Sequence, residues 1–213
     1  MNARLHFLGQ VARRPFTTGA FWPSSRALAK VVVDGCEIRP GDTVVELGPG
    51  TGAFTRLILK RLHGRGRFLA VEINGMHANL LQRRFPQCEV IHGSAEHLRD
   101  YLGNRRAACI VSGLPWGNML PPMQDRLLEA VFKSLLPGGQ FIAFAYLHAA
   151  WFPTSRRFRG LLTRRFERTE STAIIWRNLP PAFVLRCRKR DSNFVRKPAV
   201  NHPLFHEYAR AGG

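Results

Sequence analysis

Two carboxylates and three glycines fall at spacings that could hold a charged nucleoside. Glu46 lies near the end of an apolar run, 43–47, and Gly48, Gly50 and Gly52 follow at alternate positions. Glu72 falls at the end of the next apolar run, 67–73, twenty residues after Gly52. Glycine lets a backbone turn sharply and approach a ligand with no Cβ in the way. The spacing is GxGxG with an acid before it, not the GxGxxG pattern that seats a pyrophosphate on a helix N-terminus. A carboxylate beside the first turn suits a cationic amine, and one at the second strand end suits the two hydroxyls of a ribose. Together they describe S-adenosylmethionine, an adenosine with a cationic amino-acid arm.

Three further clusters complete the set. Ile73 follows Glu72, and Ser94 and Ala95 follow a third apolar run, 89–92, where an adenine ring would lie. His92 and His97 invite a metal reading but lack a matching third ligand, so no metal is expected. Ser112-Gly113-Leu114-Pro115-Trp116 follows a fourth run, 107–112. Ser112 closes that run on the cofactor side. The rigid Leu114-Pro115 turn could offer carbonyl oxygens to an amine, and the Trp116 ring could attract its charge, a contact worth up to about 2 kcal/mol when desolvated. A plain core tryptophan is the alternative there. Tyr146 ends the fifth run, 140–146, and either orients the nitrogen or simply packs.

Something must hold these clusters at one edge. Apolar runs alternate with helical stretches at 53–62, 77–85, 123–136 and 155–165. Such alternation predicts an α/β fold, a Rossmann-like doubly wound sheet, mainly parallel, with ligands at the carboxyl ends of the strands. The runs 171–176 and 182–188 predict an antiparallel ending. A helix starts at Ser24-Ser25, before 26–30. Residues 1–40 form an N-terminal helical segment, 41–188 the main domain, and 189–213 a polar tail. Within the first, 1–14 has an amphipathic pattern that could lie on lipid or pack on the domain.

The chain has 213 residues and a formal net charge of +18, and only five of its 32 basic residues are lysines. Apolar residues make up 45%, a globular composition. The charge predicts an anionic partner, either nucleic acid or an anionic membrane surface. Cys36, Cys88, Cys109 and Cys187 form no CxxC pair and read as small core residues. No apolar run reaches the roughly 20 residues of a membrane span, and no signal-peptide pattern opens the chain. The expected location is cytoplasmic, with peripheral contact at the inner face of the membrane.

At these residues the chain resembles class I S-adenosylmethionine-dependent methyltransferases over about 43–188. Glu46-Leu47-Gly48-Pro49-Gly50-Thr51-Gly52 is similar to their first motif, Glu72 to their second and Ser94-Ala95 to their third, where an Asp is usual in place of Ser94. Within the class it resembles bacterial phospholipid N-methyltransferases. The runs 19–29, 112–115 and 176–182 are similar to theirs. The resemblance implies stepwise N-methylation of phosphatidylethanolamine towards phosphatidylcholine, with S-adenosylhomocysteine as product and an N-terminal helix on anionic lipid. Ribosomal RNA adenine dimethyltransferases are the alternative. They carry Asn-Leu-Pro-aromatic where this chain has Gly113-Leu114-Pro115-Trp116, and a helical RNA-binding domain that residues 189–213 are too short to supply. A third reading is a non-catalytic basic protein binding RNA or lipid on the same fold.

Overall fold

A computed structural model describes residues 24–191. The amphipathic stretch 1–14, the loop after it and the tail beyond 191 lie outside the described residues. Seven strands form one sheet: β1 (Thr43–Leu47), β2 (Arg67–Glu72), β3 (Glu89–His92), β4 (Ala107–Ser112), β5 (Leu135–Tyr146), β6 (Arg168–Ser171) and β7 (Ala182–Arg188). Their order is β3-β2-β1-β4-β5-β7-β6. The first five run parallel, and β7 lies antiparallel to both β5 and β6. The fold is therefore the Rossmann-like, mainly parallel sheet that the alternation predicts.

β1 sits near the middle because it can be buried on both faces. All five of its residues are buried, and four are Thr, Val or Leu. Among the described residues six helices cover the sheet: α1 (Arg26–Asp34), α2 (Ala53–Leu62), α3 (Gly75–Arg84), α4 (Leu98–Leu102), α5 (Pro121–Ser134) and α6 (Pro153–Arg165). The first three pack on one face through Leu28, Ile58 and Leu81. The last three pack on the other through Leu98, Leu128 and Leu162. All four cysteines are buried in these cores.

Helix starts follow local chemistry. The Ser25 hydroxyl accepts from Leu28 N–H at 3.1 Å, and the Asn74 side chain accepts from Met76 and His77 N–H. Prolines open α5 and α6, where a missing N–H costs nothing. Three elements differ from expectation, the first being α4 at Leu98–Leu102, where no helix is expected. β5 begins at Leu135, beside Ala107; its pairing with β4 then shifts and resumes at Gln140, so the Pro137-Gly138-Gly139 turn is a bulge within the strand. β6 is Arg168–Ser171 in place of 171–176, because beyond Ser171 the pairing with β7 is reduced to Thr172 N–H on Val184 O and an isolated bridge between Ile175 and Ala182.

Candidate active site

Adjacent strands β3, β2, β1 and β4 bring four connections to one edge, spanning about 14 Å at ordinary strand spacing. At that edge β1 turns through Gly48, Gly50 and Gly52, all with positive φ. A Cβ on Gly48 would stand 2.8 Å from Leu114 Cδ2, so the glycine lets the turns after β1 and β4 close on each other. A Cβ on Gly50 would meet nothing within 4 Å, which leaves that backbone open to a ligand. Gly52 instead lies against Phe85 and Leu81, a packing glycine.

Glu72 is locked beside this turn. Its Oε2 accepts from Gly50 N–H at 3.2 Å, and its Oε1 accepts from Asn74 N–H at 2.9 Å. Each carboxylate oxygen keeps a further lone pair for a ribose hydroxyl. Ile73 is half-buried next to it. Ser94 and Ala95 stand beyond β3, the Ser94 hydroxyl accepting from Glu96 N–H at 3.2 Å. That bond caps a short turn and uses one lone pair, which leaves the hydroxyl its own O–H as a donor.

Glu46 is fully buried on the face covered by α2. Its Oε2 accepts from the Thr55 hydroxyl at 2.6 Å, while Oε1 has no partner among the described residues. Burial pushes the carboxyl up to about 8, opposed by the hydrogen bonds from Thr55 and reinforced by the charge of Glu72. A buried acceptor without a donor is costly, and a cationic amine is one group that satisfies it. The open Gly50 backbone, the locked Glu72 and this orphaned oxygen together fit S-adenosylmethionine.

The turn after β4 is tighter than the sequence suggests. A Cβ on Gly113 would lie 2.5 Å from the Gly48 carbonyl oxygen, so no side chain fits there. Gly113 N–H donates to Leu47 O at 2.8 Å. Ser112 Oγ accepts from Leu114 N–H and from the Trp116 indole N–H, at 3.3 and 2.9 Å. The Leu114 carbonyl accepts from Trp116 N–H, which leaves one lone pair for an amine.

The cation-holding role expected of Trp116 is corrected. Its ring is 2% exposed, stacked on Phe158 at 4.4 Å and set edge-on to Phe141. The indole is held down into the α6 side of the core by Ser112, and one face is already covered. Tyr146 reaches the site edge on the opposite face of the sheet, half-buried, with its phenol pushed up by burial. His148, absent from the expected set, is exposed and stacks on Tyr146 at 5.7 Å.

The arginine cluster of α6 is mostly committed. Arg157 makes a bidentate pair with Asp125 at 2.9 Å, Arg165 pairs with Glu129, and Arg159 donates to Ala150 O. Only Arg156 and Arg164 remain on the exposed face without an ion pair among the described residues. Cationic side chains gather instead along a groove of about 780 Å³ between α1 and α2, with Arg26, Lys30, Arg56, Lys60 and Arg84 around it. Sequence reasoning also missed Thr55 and Asn178. Asn178 is 2% exposed and its Oδ1 accepts from Ser25 N–H at 2.9 Å, which ties the 176–182 motif to the start of α1. Among the described residues no three His, Cys, Asp or Glu side chains gather as a metal site. No described helix is long and apolar enough to cross a membrane.

Residues 44–139 match the family model described as a methyltransferase domain. The chain is 31% identical over 194 residues to an ornithine lipid N-methyltransferase of Singulisphaera acidiphila, covering 88% of this chain and 97% of that one. It is 40% identical over 78 residues to a ribosomal RNA small subunit methyltransferase A of Synechococcus elongatus, covering 37% of this chain and 26% of that one. Its fold is similar to that of TrmN from Thermus thermophilus, at 16% identity and a TM-score of 0.62, over 77% of this chain and 48% of that one.

Proposed function

The chain belongs to the class I S-adenosylmethionine-dependent methyltransferases, and on that premise we propose that it N-methylates the amine headgroup of a phospholipid, phosphatidylethanolamine. The observation that carries this reading is Gly113. An adenine dimethyltransferase carries an asparagine amide at that point of the turn, and here the Gly48 carbonyl fills its space. A small alkylamine needs no such amide. The near full-length similarity to a lipid N-methyltransferase supports the same side. Because that relative's name specifies an ornithine lipid, the amine of an ornithine lipid is the second substrate to test.

S-adenosylmethionine, when bound, supplies a methyl group activated on a sulfonium. Gly48 and Gly50 would lend it backbone, with Gly52 packed behind them on Phe85 and Leu81, Glu72 would take the ribose, and Ile73, Ser94 and Ala95 would border the adenine. Glu46 would meet the cationic arm through its unpaired oxygen, and Ser112 fixes the floor of the β4 turn. The chain's own work is then positioning. Leu114 holds the nucleophile through its carbonyl oxygen. The headgroup amine arrives as an ammonium, since such amines have pKa near 10, so it must lose a proton before attack. Tyr146, kept protonated by burial, accepts an N–H and orients the nitrogen. His148 beside it stands in solvent and can take the proton outward.

The test is methyl transfer from radiolabelled S-adenosylmethionine in anionic mixed micelles. Phosphatidylethanolamine, an ornithine lipid and ribosomal RNA are offered in separate tubes. Label in a lipid phase supports the reading and names the headgroup. Label in RNA alone overturns it.

A further inference from the structure

Nine large apolar side chains stand exposed among the described residues, and six of them, Leu120, Trp151, Phe152, Ile174, Trp176 and Leu179, sit on connections at the carboxyl edge of the sheet. Scattered exposed leucines need no explanation, but clustering at one edge does. Five of the nine lie on two neighbouring connections. Trp151 is 78% exposed and Phe152 47%, between β5 and α6. Trp176 is 70% exposed and Leu179 67%, between β6 and β7. Leu147 N–H donates to Pro181 O at 2.8 Å, so the two connections are bound together.

This rim is built, not incidental. Asn178 is buried between Trp176 and Leu179, its amide held by Ser25 N–H and by Pro180 O. With Asn178 pinned inward, its neighbours are pushed out to solvent. Segments 147–160 and 172–181 contain no Asp or Glu and carry Arg156, Arg157, Arg159 and Arg177. Arg156 and Arg177 are exposed and have no ion pair among the described residues.

We propose that the Trp151–Phe152 and Trp176–Leu179 rim inserts into the headgroup layer of an anionic bilayer and so turns the active-site edge towards the membrane. Indole rings settle at the boundary between headgroups and acyl chains, where one end is apolar and the other wet. The arginines beside them meet anionic phosphates. Exposed aliphatic Ile174 and Leu179 fit hydrocarbon better than the stacked bases of a nucleic acid. The inference deepens the lipid reading above and rests on it. It places the membrane contact on the folded domain, apart from residues 1–14.

The test uses the full chain with Trp151→Ser and Trp176→Ser together. Both side chains are exposed, so the fold and cofactor affinity, read by calorimetry with S-adenosylhomocysteine, stay as in the parent. Co-sedimentation with phosphatidylglycerol–phosphatidylcholine vesicles falls about tenfold or more. Methylation of vesicle lipid falls with it, while methylation of a short-chain, water-soluble phosphatidylethanolamine is retained. Unchanged sedimentation overturns the proposal and leaves the rim to residues outside 24–191 or to another partner. Lost affinity for ribosomal RNA with vesicle binding intact also overturns it. A parent protein that methylates no lipid at all sinks the functional reading separately, because sedimentation reads binding alone.

Discussion

Glu72→Gln isolates what the carboxylate does, because it keeps the shape and removes the charge. The native oxygens accept two backbone donors, Gly50 N–H at 3.2 Å and Asn74 N–H at 2.9 Å. The amide offers one oxygen and one NH2, so one of those backbone donors then faces another donor. One acceptor for the ribose diol is lost as well. A hydrogen bond to a charged group contributes about 1.5–3 kcal/mol. At 1.4 kcal/mol per decade, the affinity for S-adenosylhomocysteine weakens by roughly tenfold to 150-fold. Calorimetry reads that change, and thermal unfolding reads the separate cost of the unpaired donor as a drop of a few degrees. A lowered unfolding temperature with cofactor affinity within about threefold of the parent would refute the ribose assignment. It would leave Glu72 as a brace for the glycine turn only.

Three further outcomes are expected. Glu46 is raised to about 8 in the folded protein against 4.5 in the unfolded chain, so unfolding between those values releases a proton. Stability without cofactor should therefore fall as pH rises from about 4.5 to 8; Glu46→Gln should flatten that slope in unfolding scans, and an unchanged slope would contradict the burial cause. Trp116→Phe should lower the unfolding temperature through the lost Ser112 contact yet leave KM for the lipid amine within about threefold; a large rise in KM at native stability would restore the cation-holding role. Tyr146→Phe should cut kcat about tenfold with cofactor affinity unchanged, if the phenol oxygen orients the nitrogen; equal kcat in a single-turnover assay would remove that role.

Much of the frame was legible because local signals agreed. Five buried residues in β1, alternating glycines and an acid at the next strand end can be read without knowing the partners. Long, strongly patterned elements such as α2 and β4 end where the pattern ends. What the sequence concealed depends on distant packing. Whether Trp116 faces ligand or core is decided by Phe158, forty-two residues away, and by Phe141. Five arginines of α6 stand close together in the sequence, and Asp125 and Glu129 of α5 pair with two of them. Gly113 read as a missing asparagine; only the approach of the Gly48 carbonyl makes it a position where no side chain fits. Thr55 carried a faint signal, since a hydroxyl three residues after Gly52 must face back towards the strand beneath.

The reversed strand β7 has a consequence for how the fold can diversify. Since β6 arrives at the carboxyl edge and β7 departs from it, their connection, 172–181, adds a loop to the reactive side without touching the four strand ends around the glycine turn. Its outward residues can change while Asn178 keeps its tie to Ser25 and the pairing of β7 with β5 and β6 stays in register. On the rim proposal, contact with the lipid surface and retention of the methyl donor are thus written in separate stretches of chain. Exchanging the outward residues of 172–181 is the modular route to a different surface contact on an unaltered cofactor cradle.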